Sequence, residues 1–459
     1  MNKSFLGIDL GTSSVKVICC DFLGNTVKSS ASYDSISLDG WKTAIVSALK
    51  EMDLSKVCAV GLSSQVGTYI INEKDIINWY DPIGQEELQE IKNTYSREVF
   101  LNEINMIHPD IISYPIPRLK YIKKAYPDVK SVFQPKDYIG RLLTGNLATD
   151  PYSWRGLANL NTKKYSNFFL NELDINCLPE ITDYCNKIGY VTEEFSKISG
   201  LPSGIPVIAG LNDFYSSLLG MGIRNVGDIF DITGTSEHLG VIKPNLNKET
   251  KSVSSPYLEN FVHYGVTASS GASLKFGIDN FDCDKIKITE EIIKNAPIFT
   301  PYLNGERAPI FDTDAKGTFF GINSDCRKDE FAYSVLEGVA FSLYHIYDSM
   351  GMPEGKKIVI SGGASKNDEL NALKAELFNI DIETLSENDT SALGAVMVAA
   401  LGSFELKSID EAVEIFCKPK KIFKPSGTYR NLLLKRYEIY KNLYPSLKNQ
   451  YKLLKEVHK

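Results

Sequence analysis

Two stretches of the chain carry the same chemistry-bearing phrase. Ile8 to Ser14 reads IDLGTSS, and Phe230 to Ser236 reads FDITGTS. Each places an aspartate after an apolar residue and follows it with Gly-Thr-Ser. A Gly-Thr-Ser turn between two strands exposes backbone N–H groups and two hydroxyls at one point, a donor cluster that suits a phosphate. The glycine lets the backbone approach closely. Two such hairpins could grip the phosphate tail of one nucleotide from both sides. Asp9, at the end of the first strand, is placed to organise Mg2+ through water, and Lys16 adds positive charge nearby. One Gly-Thr-Ser triplet is usually an ordinary hairpin turn; its repetition in matched strand contexts is what points to a ligand.

The elements around these phrases follow from periodicity and turn chemistry. SFLGIDLGTSSVKVICCDFLGNTV reads as a meander of strands with tight turns, and WKTAIVSALKEM has helical spacing. VCAVGLSSQVGTYIINE reads as two strands around a polar turn. PKDYIGRLLTGN reads as a helix closed by Gly145. GIPVIAGLNDFYSSLLGMG is expected to form a strand, a turn at Gly210–Asn212 and a short helix. Near Gly227 the pattern restarts with GDIFDITGTSEHLGVI, again strand, turn and strand. DEFAYSVLEGVAFSLYHIYDSM is a long amphipathic helix, KKIVISGGASKNDELNALKAELF a strand, glycine turn and helix, and TSALGAVMVAALG a helix of small residues. The expected organisation is an α/β chain in two halves, 1–224 and 225–418, with a helical tail over 419–459.

Composition excludes several functions. A formal net charge of -7 argues against non-specific nucleic-acid binding by the surface. No apolar run approaches the roughly 20 residues that cross a bilayer. The first apolar run breaks at Asp9, too early for a signal peptide, so a cytoplasmic location is expected. The eight cysteines show no CxxC spacing and read as buried, reduced thiols. His108, His238, His263, His345 and His458 have no zinc-type spacing.

With these residues in view, the chain resembles the sugar-kinase, actin and heat-shock-chaperone ATPase superfamily. GIDLGTSSVKV resembles its first phosphate motif, DITGTSEHLGV its second, and ISGGASKND its adenosine motif. AGLNDFYSSLLGMG, PYLNGERAPIFDTDAKGTFFGI, VLEGVAFSL and PKDYIGRLLTGNLATD narrow the resemblance to the FGGY family of carbohydrate kinases, in the right order from residue 5 to about 402. The resemblance implies two ribonuclease-H-like, actin-like ATPase domains with a cleft between them. It implies transfer of the γ-phosphate of ATP, with Mg2+, to a hydroxyl of a small-molecule sugar or polyol. Neither nucleic acid nor a membrane is an expected partner, and a homodimer is left open.

The site residues that the resemblance implies are specific. Asp213, in Gly210-Leu211-Asn212-Asp213, is the general base; read without the family it could equally be a helix N-cap. Thr12, Ser13 and Lys16 match the first phosphate loop, and Gly234 and Thr235 the second. Gly271 and Lys275 fall on the ADP side, and Gly363 and Asn367 match the adenine-side loop, although SGGAS alone reads as a plain strand-to-helix turn. Glu306 and Arg307 could form a structural ion pair. On the acceptor side stand Gln65, Val66, Gly67 and Asn212. Ketopentose kinases of the family carry Gln-Met-His-Gly where this chain has Gln65-Val66-Gly67-Thr68. Trp79-Tyr80-Asp81 keeps the start of a Trp-x-Asp-x-Arg phrase but has Ile83 in place of the arginine. Trp79 itself reads as either a core aromatic or a sugar platform. A ketose such as xylulose or a related pentulose is the expected acceptor, although the missing His and Arg speak against a standard xylulose kinase. The alternatives are a gluconate or polyol kinase and a sugar-sensing protein without turnover.

Overall fold

Apolar runs interrupted by glycine turns dictate the two sheets on which the chain is built. A computed structural model describes residues 3–106, 111–247 and 252–457, so His108 and His458 lie outside it. In the first sheet, β1 (Ser4–Leu10), β2 (Ser14–Asp21) and β3 (Thr26–Ser32) form the expected antiparallel meander. β1 also pairs in parallel with β4 (Val57–Ser64), and β4 pairs in parallel with β6 (Pro206–Asn212). β5 (Lys187–Tyr190) closes the edge antiparallel to β6, giving the order β5-β6-β4-β1-β2-β3. The helices α1 (Leu38–Lys50), α2 (Pro115–Ala125), α3 (Pro135–Thr144) and α4 (Asp213–Gly220) belong to this half of the chain.

The second sheet repeats that plan. β7 (Ile229–Thr233) pairs antiparallel with β8 (Glu237–Lys243) and in parallel with β11 (Lys357–Gly362). β9 (Val253–Tyr257), β10 (Asn260–Val266), β12 (Asp381–Leu385) and β13 (Pro419–Phe423) complete the order β9-β10-β8-β7-β11-β12-β13. Apart from the extra edge strand β9, every neighbour relation and strand direction of the first sheet recurs. With these strands go α5 (Ser270–Phe281), α6 (Lys328–Ser349) and α7 (Asp368–Phe378).

The chain divides into two units, but not at a single point in the sequence. The first comprises Met1–Gly222 and Asp389–Lys418, the second Ile223–Asn388 and Pro419–Lys459. In space the stretch from Asp389 to Lys418, expected in the half 225–418, packs on the first sheet. The reason is steric. The small-residue helix α8 (Thr390–Gly402) lies against β1 and β4 at backbone distance. A Cβ on Gly7 would stand 2.1 Å from the Ala392 carbonyl oxygen, and one on Gly61 2.0 Å from that of Ala395.

The expected helical tail is formed by a long helix that packs on the second unit. α9 (Arg430–Val457) buries Leu433, Tyr437, Tyr440, Leu443 and Tyr451 in the core of the second unit. Arg436 binds Glu337 of α6 with two N–H groups, at 2.6 and 2.7 Å. The expected turn at Gly210–Asn212 is also absent, because β6 runs on to Asn212. Gly210 sits in a bulge with φ 76°, where a Cβ would stand 1.8 Å from the Leu62 carbonyl oxygen. None of the eight cysteines forms a disulfide; Cys19, Cys20 and Cys283 are buried and the other five half-buried. Among the described residues no helix is long and apolar enough to cross a membrane.

The second unit encloses a buried charge cluster beneath its Gly-Thr-Ser turn. Lys374 of α7 is 2.7 Å from Asp231 on β7 and 2.5 Å from Glu237 on β8, and all three are buried. Ser270 at the start of α5 donates to the other Glu237 oxygen at 2.5 Å. Removing the ammonium would leave two buried carboxylates without their counter-charge. Lys374→Met is therefore expected to cost about 3–5 kcal/mol, read as a lowered urea midpoint with an unchanged slope.

Candidate active site

Three adjacent parallel strands of the first unit end in register. Leu10 of β1 faces Ser64 of β4, and Ser64 faces Asn212 of β6. The chain therefore leaves all three strands at one edge, releasing Thr12, Gln65 and Asp213 there. Carboxyl ends of parallel strands are where open α/β sheets bind ligands. Asn212 is the N-cap of α4: its Oδ1 accepts from Tyr215 N at 3.2 Å and its Nδ2 donates to the Tyr152 carbonyl at 2.8 Å. The capping role open to Asp213 thus falls to Asn212. The Asn212 side chain, expected on the acceptor side, thus makes a hydrogen bond within the fold at each end of its amide.

Asp213 is the first helical residue, partly exposed, with Oδ1 accepting from Phe214 N at 2.8 Å. Dense protein around the carboxyl pushes its pKa up to about 7, and the Asp9 carboxylate adds to the shift. The Phe214 N–H and the Arg155 charge oppose it. Asp9 is buried and holds two hydroxyls: Ser63 Oγ donates to Oδ1 at 2.7 Å and Ser391 Oγ to Oδ2 at 2.5 Å. Burial, the largest influence, raises its pKa as well. Among the described residues no three His, Cys, Asp or Glu side chains gather as a metal cage. One carboxylate of this kind fits Mg2+, which keeps most of its waters and takes phosphate oxygens.

The first Gly-Thr-Ser turn projects Thr12 and Ser13 into solvent. Thr12 Oγ1 donates to Gln65 Oε1 at 3.1 Å and accepts the indole N–H of Trp79 at 3.2 Å. Lys16 lies across the hairpin from Asp9, but its ammonium is bound to Asp389 at 2.6 Å, with Lys28 on the other Asp389 oxygen at 3.2 Å. Val66 is half-buried beside Gln65. Gly67 has φ 85°, and a Cβ there would meet Ser113 at 3.0–3.2 Å. A side chain at this position would therefore be strained and crowded against Ser113.

In the second unit, five expected residues line one cavity of about 790 Å3: Gly234, Gly271, Lys275, Gly363 and Asn367. They come from three separate stretches. The N–H of Gly271, at the start of α5, donates to the Thr235 carbonyl at 3.1 Å, and a Cβ on Gly271 would stand 2.2 Å from the Gly234 carbonyl oxygen. Thr235 is exposed on the turn but does not line the cavity. Asn367 caps α7 through its Oδ1. Leu274 and Ile278 supply an apolar wall, and Lys275, Asp279, Asp284 and Glu369 a charged rim. The volume and the mixed lining suit a nucleotide-sized ligand. The expected Glu306–Arg307 ion pair is not formed. The Glu306 carboxylate accepts from Ala268 N, Arg307 N and Ser342 Oγ at 2.7–2.9 Å, and Arg307 reaches the Ser236 hydroxyl at 3.4 Å. Burial pushes the Glu306 pKa up to about 7.

Several site residues carried no sequence signal. Ser63 and Ser391 read as ordinary strand and helix serines, and Ser391 lies 382 positions from the carboxylate it binds. Arg155 sits 5.5–5.7 Å from the ring centres of Tyr114, Phe214 and Tyr215. Only the fold gathers those rings around it.

These two sheets define a two-domain actin-like ATPase fold. The FGGY family model of carbohydrate kinases matches the chain, its N-terminal domain over residues 37–220 and its C-terminal domain over residues 231–403. The chain is 28% identical over 495 residues to a xylulose kinase of Staphylococcus epidermidis, covering 96% of this chain and 97% of that one. It is similar to the solved structure of a ligand-bound xylulose kinase from Lactobacillus acidophilus, with a TM-score of 0.84 and 24% identity over 98% of this chain and 100% of that one. A gluconate kinase from the same organism is similar to the same degree: TM-score 0.84, 24% identity, 99% of this chain and 100% of that one. The chain belongs to the FGGY family of carbohydrate kinases, phosphotransferases that use ATP and an alcohol acceptor.

Gly363 has no atom within 4 Å of where a Cβ would lie, so a side chain there would project into open space beside the cavity rather than into the core. Gly363→Val is expected to keep wild-type stability and to weaken a fluorescent ATP analogue by on the order of tenfold, about 1.4 kcal/mol, as measured by anisotropy titration.

Proposed function

We propose that the enzyme transfers the γ-phosphoryl group of ATP to a hydroxyl of a ketose of the pentulose class, with Asp213 as general base. The observation that carries this reading is the release of Asp213, Gln65 and Thr12 at one sheet edge beside buried Asp9. An acceptor hydroxyl is a weak nucleophile until a carboxylate within reach takes its proton, and a base with a pKa near the working pH does this best. In this reading Gln65, Val66 and Gly67 border the acceptor. The cavity of the second unit holds the nucleotide, with Gly271, Lys275, Gly363 and Asn367 around it. Gly234 and Thr235 donate toward the transferring phosphate, as do Thr12 and Ser13. Asp9, held by Ser63 and Ser391, is the residue that would hold Mg2+ through water, with Lys16 contributing charge through its pair with Asp389. When bound, Mg2+ neutralises phosphate charge as it builds up.

The base carries a sign for pH. Asp213 accepts a proton only when ionised, so kcat/KM should rise with pH through about 7 and then level. Asp213→Asn should retain the fold and nucleotide binding, lose that limb, and lower kcat by roughly 10²–10⁴. Turnover within about threefold of the parent enzyme would remove Asp213 from the role.

The acceptor class is read from a panel of D-xylulose, D-ribulose, D-gluconate and glycerol with ATP. A pentulose is expected to lead in kcat/KM by roughly tenfold or more, the scale on which polar contacts discriminate. D-gluconate or glycerol in first place would overturn the acceptor assignment and leave the kinase class standing. No turnover of any acceptor, with ATP still bound, would favour the sugar-sensing alternative.

A further inference from the structure

The stretch Gly305 to Pro309, GERAP, brings an arginine to the second Gly-Thr-Ser turn. Arg307 is exposed, and an exposed arginine is ordinarily a solvated, mobile charge. The backbone of this one is pinned at both of its polar groups. Its N–H donates to Glu306 Oε1 at 2.8 Å, and its carbonyl accepts from Ile310 N and Phe311 N at 2.8 and 2.6 Å. The next residue, Ala308, donates its N–H to the carbonyl of Val266, at the end of β10, at 3.0 Å. Thr267 holds the turn itself. Its N–H donates to the Glu237 carbonyl at 2.9 Å, and its Oγ1 accepts from Glu237 N at 3.1 Å. Ala268 N then donates to Glu306 Oε1 at 2.7 Å. The ring closes where Nη1 of Arg307 reaches Ser236 Oγ at 3.4 Å. Turn and arginine are thus mounted on one short stretch, residues 266–268.

What distinguishes Arg307 is its charge balance. Lys16, the cation of the first turn, is bound to Asp389 at 2.6 Å. Glu306, which could have neutralised Arg307, is buried and occupied by Ala268 N, Arg307 N and Ser342 Oγ. Among the described residues no carboxylate pairs with the guanidinium, and its side-chain hydrogen bond is the long one to Ser236. A guanidinium keeps its charge at any working pH and carries its N–H donors in a planar fork that matches phosphate oxygens. We propose that Arg307 is a phosphate-binding residue of the second turn: its guanidinium donates to oxygens of the nucleotide's phosphate chain, beside the donors of Gly234 and Thr235. This deepens the kinase reading and rests on its assignment of that turn to phosphate. A pinned backbone reduces the ordering cost of the contact, and a charged donor makes the stronger kind of hydrogen bond to phosphate. Arg307 does not line the cavity that Gly234, Gly271 and Gly363 share. Its contact therefore bears on the phosphate chain and not on the adenosine.

The test is displacement of a fluorescent ATP analogue from the full chain, with Mg2+ present, by tripolyphosphate in one series and by adenosine in another. Arg307→Ala is expected to weaken tripolyphosphate by roughly tenfold, equivalent to about 1.4 kcal/mol, and to leave adenosine within about twofold. The urea midpoint should match that of the parent, because the substituted side chain is exposed. Added guanidinium ion, compared with equal sodium chloride, should restore part of the tripolyphosphate affinity that the variant loses. A parent protein from which tripolyphosphate displaces nothing, unchanged tripolyphosphate affinity in Arg307→Ala, or an equal weakening of adenosine would each overturn the contact. If the parent turns over an acceptor while Arg307→Ala keeps its tripolyphosphate affinity, the contact falls and the kinase reading stands. If tripolyphosphate is selectively weakened but the parent turns over no acceptor, the contact stands and the kinase reading falls.

Discussion

Parallel register across three strands is the constraint on which the first unit depends. Because Leu10, Ser64 and Asn212 stand side by side, the residues just beyond them emerge together. A shift of one residue in any of these strands would turn its side chains to the opposite face and displace the loop or helix that continues it. The register is held from behind by α8, whose approach is possible only because Gly7 and Gly61 present bare backbone. The same helix brings Ser391 to the Asp9 carboxylate. Packing of the core and placement of the chemistry are thus one arrangement.

The two Asp-and-Gly-Thr-Ser phrases occupy equivalent strands of equivalent sheets, yet their aspartates have different surroundings. Asp9 is buried against two hydroxyls. Asp231 is bound to Lys374 within a closed cluster with Glu237. Hydroxyls leave the charge of a carboxylate uncompensated and open to a cation, whereas an ammonium cancels it. The repeat therefore preserves the backbone plan while the two aspartates differ: one is bound by hydroxyls alone, the other by an ammonium beneath its turn.

Burial is the main influence on the Asp213 carboxyl. It disfavours the ionised form and the Asp9 carboxylate adds to it, whereas the Phe214 N–H and Arg155, caged by three aromatic rings, oppose it. Desolvation and nearby positive charge thus act on one group in opposite directions.

The sequence by itself determined the repeated hairpins, the meander that opens the chain, the small-residue helix and the glycine turn at 362–363. These rest on local turn chemistry and periodicity, which neighbouring residues settle among themselves. The five residues that line the cavity of the second unit were likewise legible as one group, because each lies at a strand-to-helix junction, in a hairpin turn or near the start of a helix with a distinctive phrase. Only the tertiary structure decided which unit the 389–418 segment joins, since that depends on Gly7 and Gly61, far away near the start of the chain. It alone made Asn212 rather than Asp213 the helix cap, bound Lys16 to Asp389, and set Ser391 on Asp9. The last two are contacts between side chains distant in sequence, and the cap depends on how far β6 runs beside β4. Such partners are chosen by packing and register, and no local pattern records them.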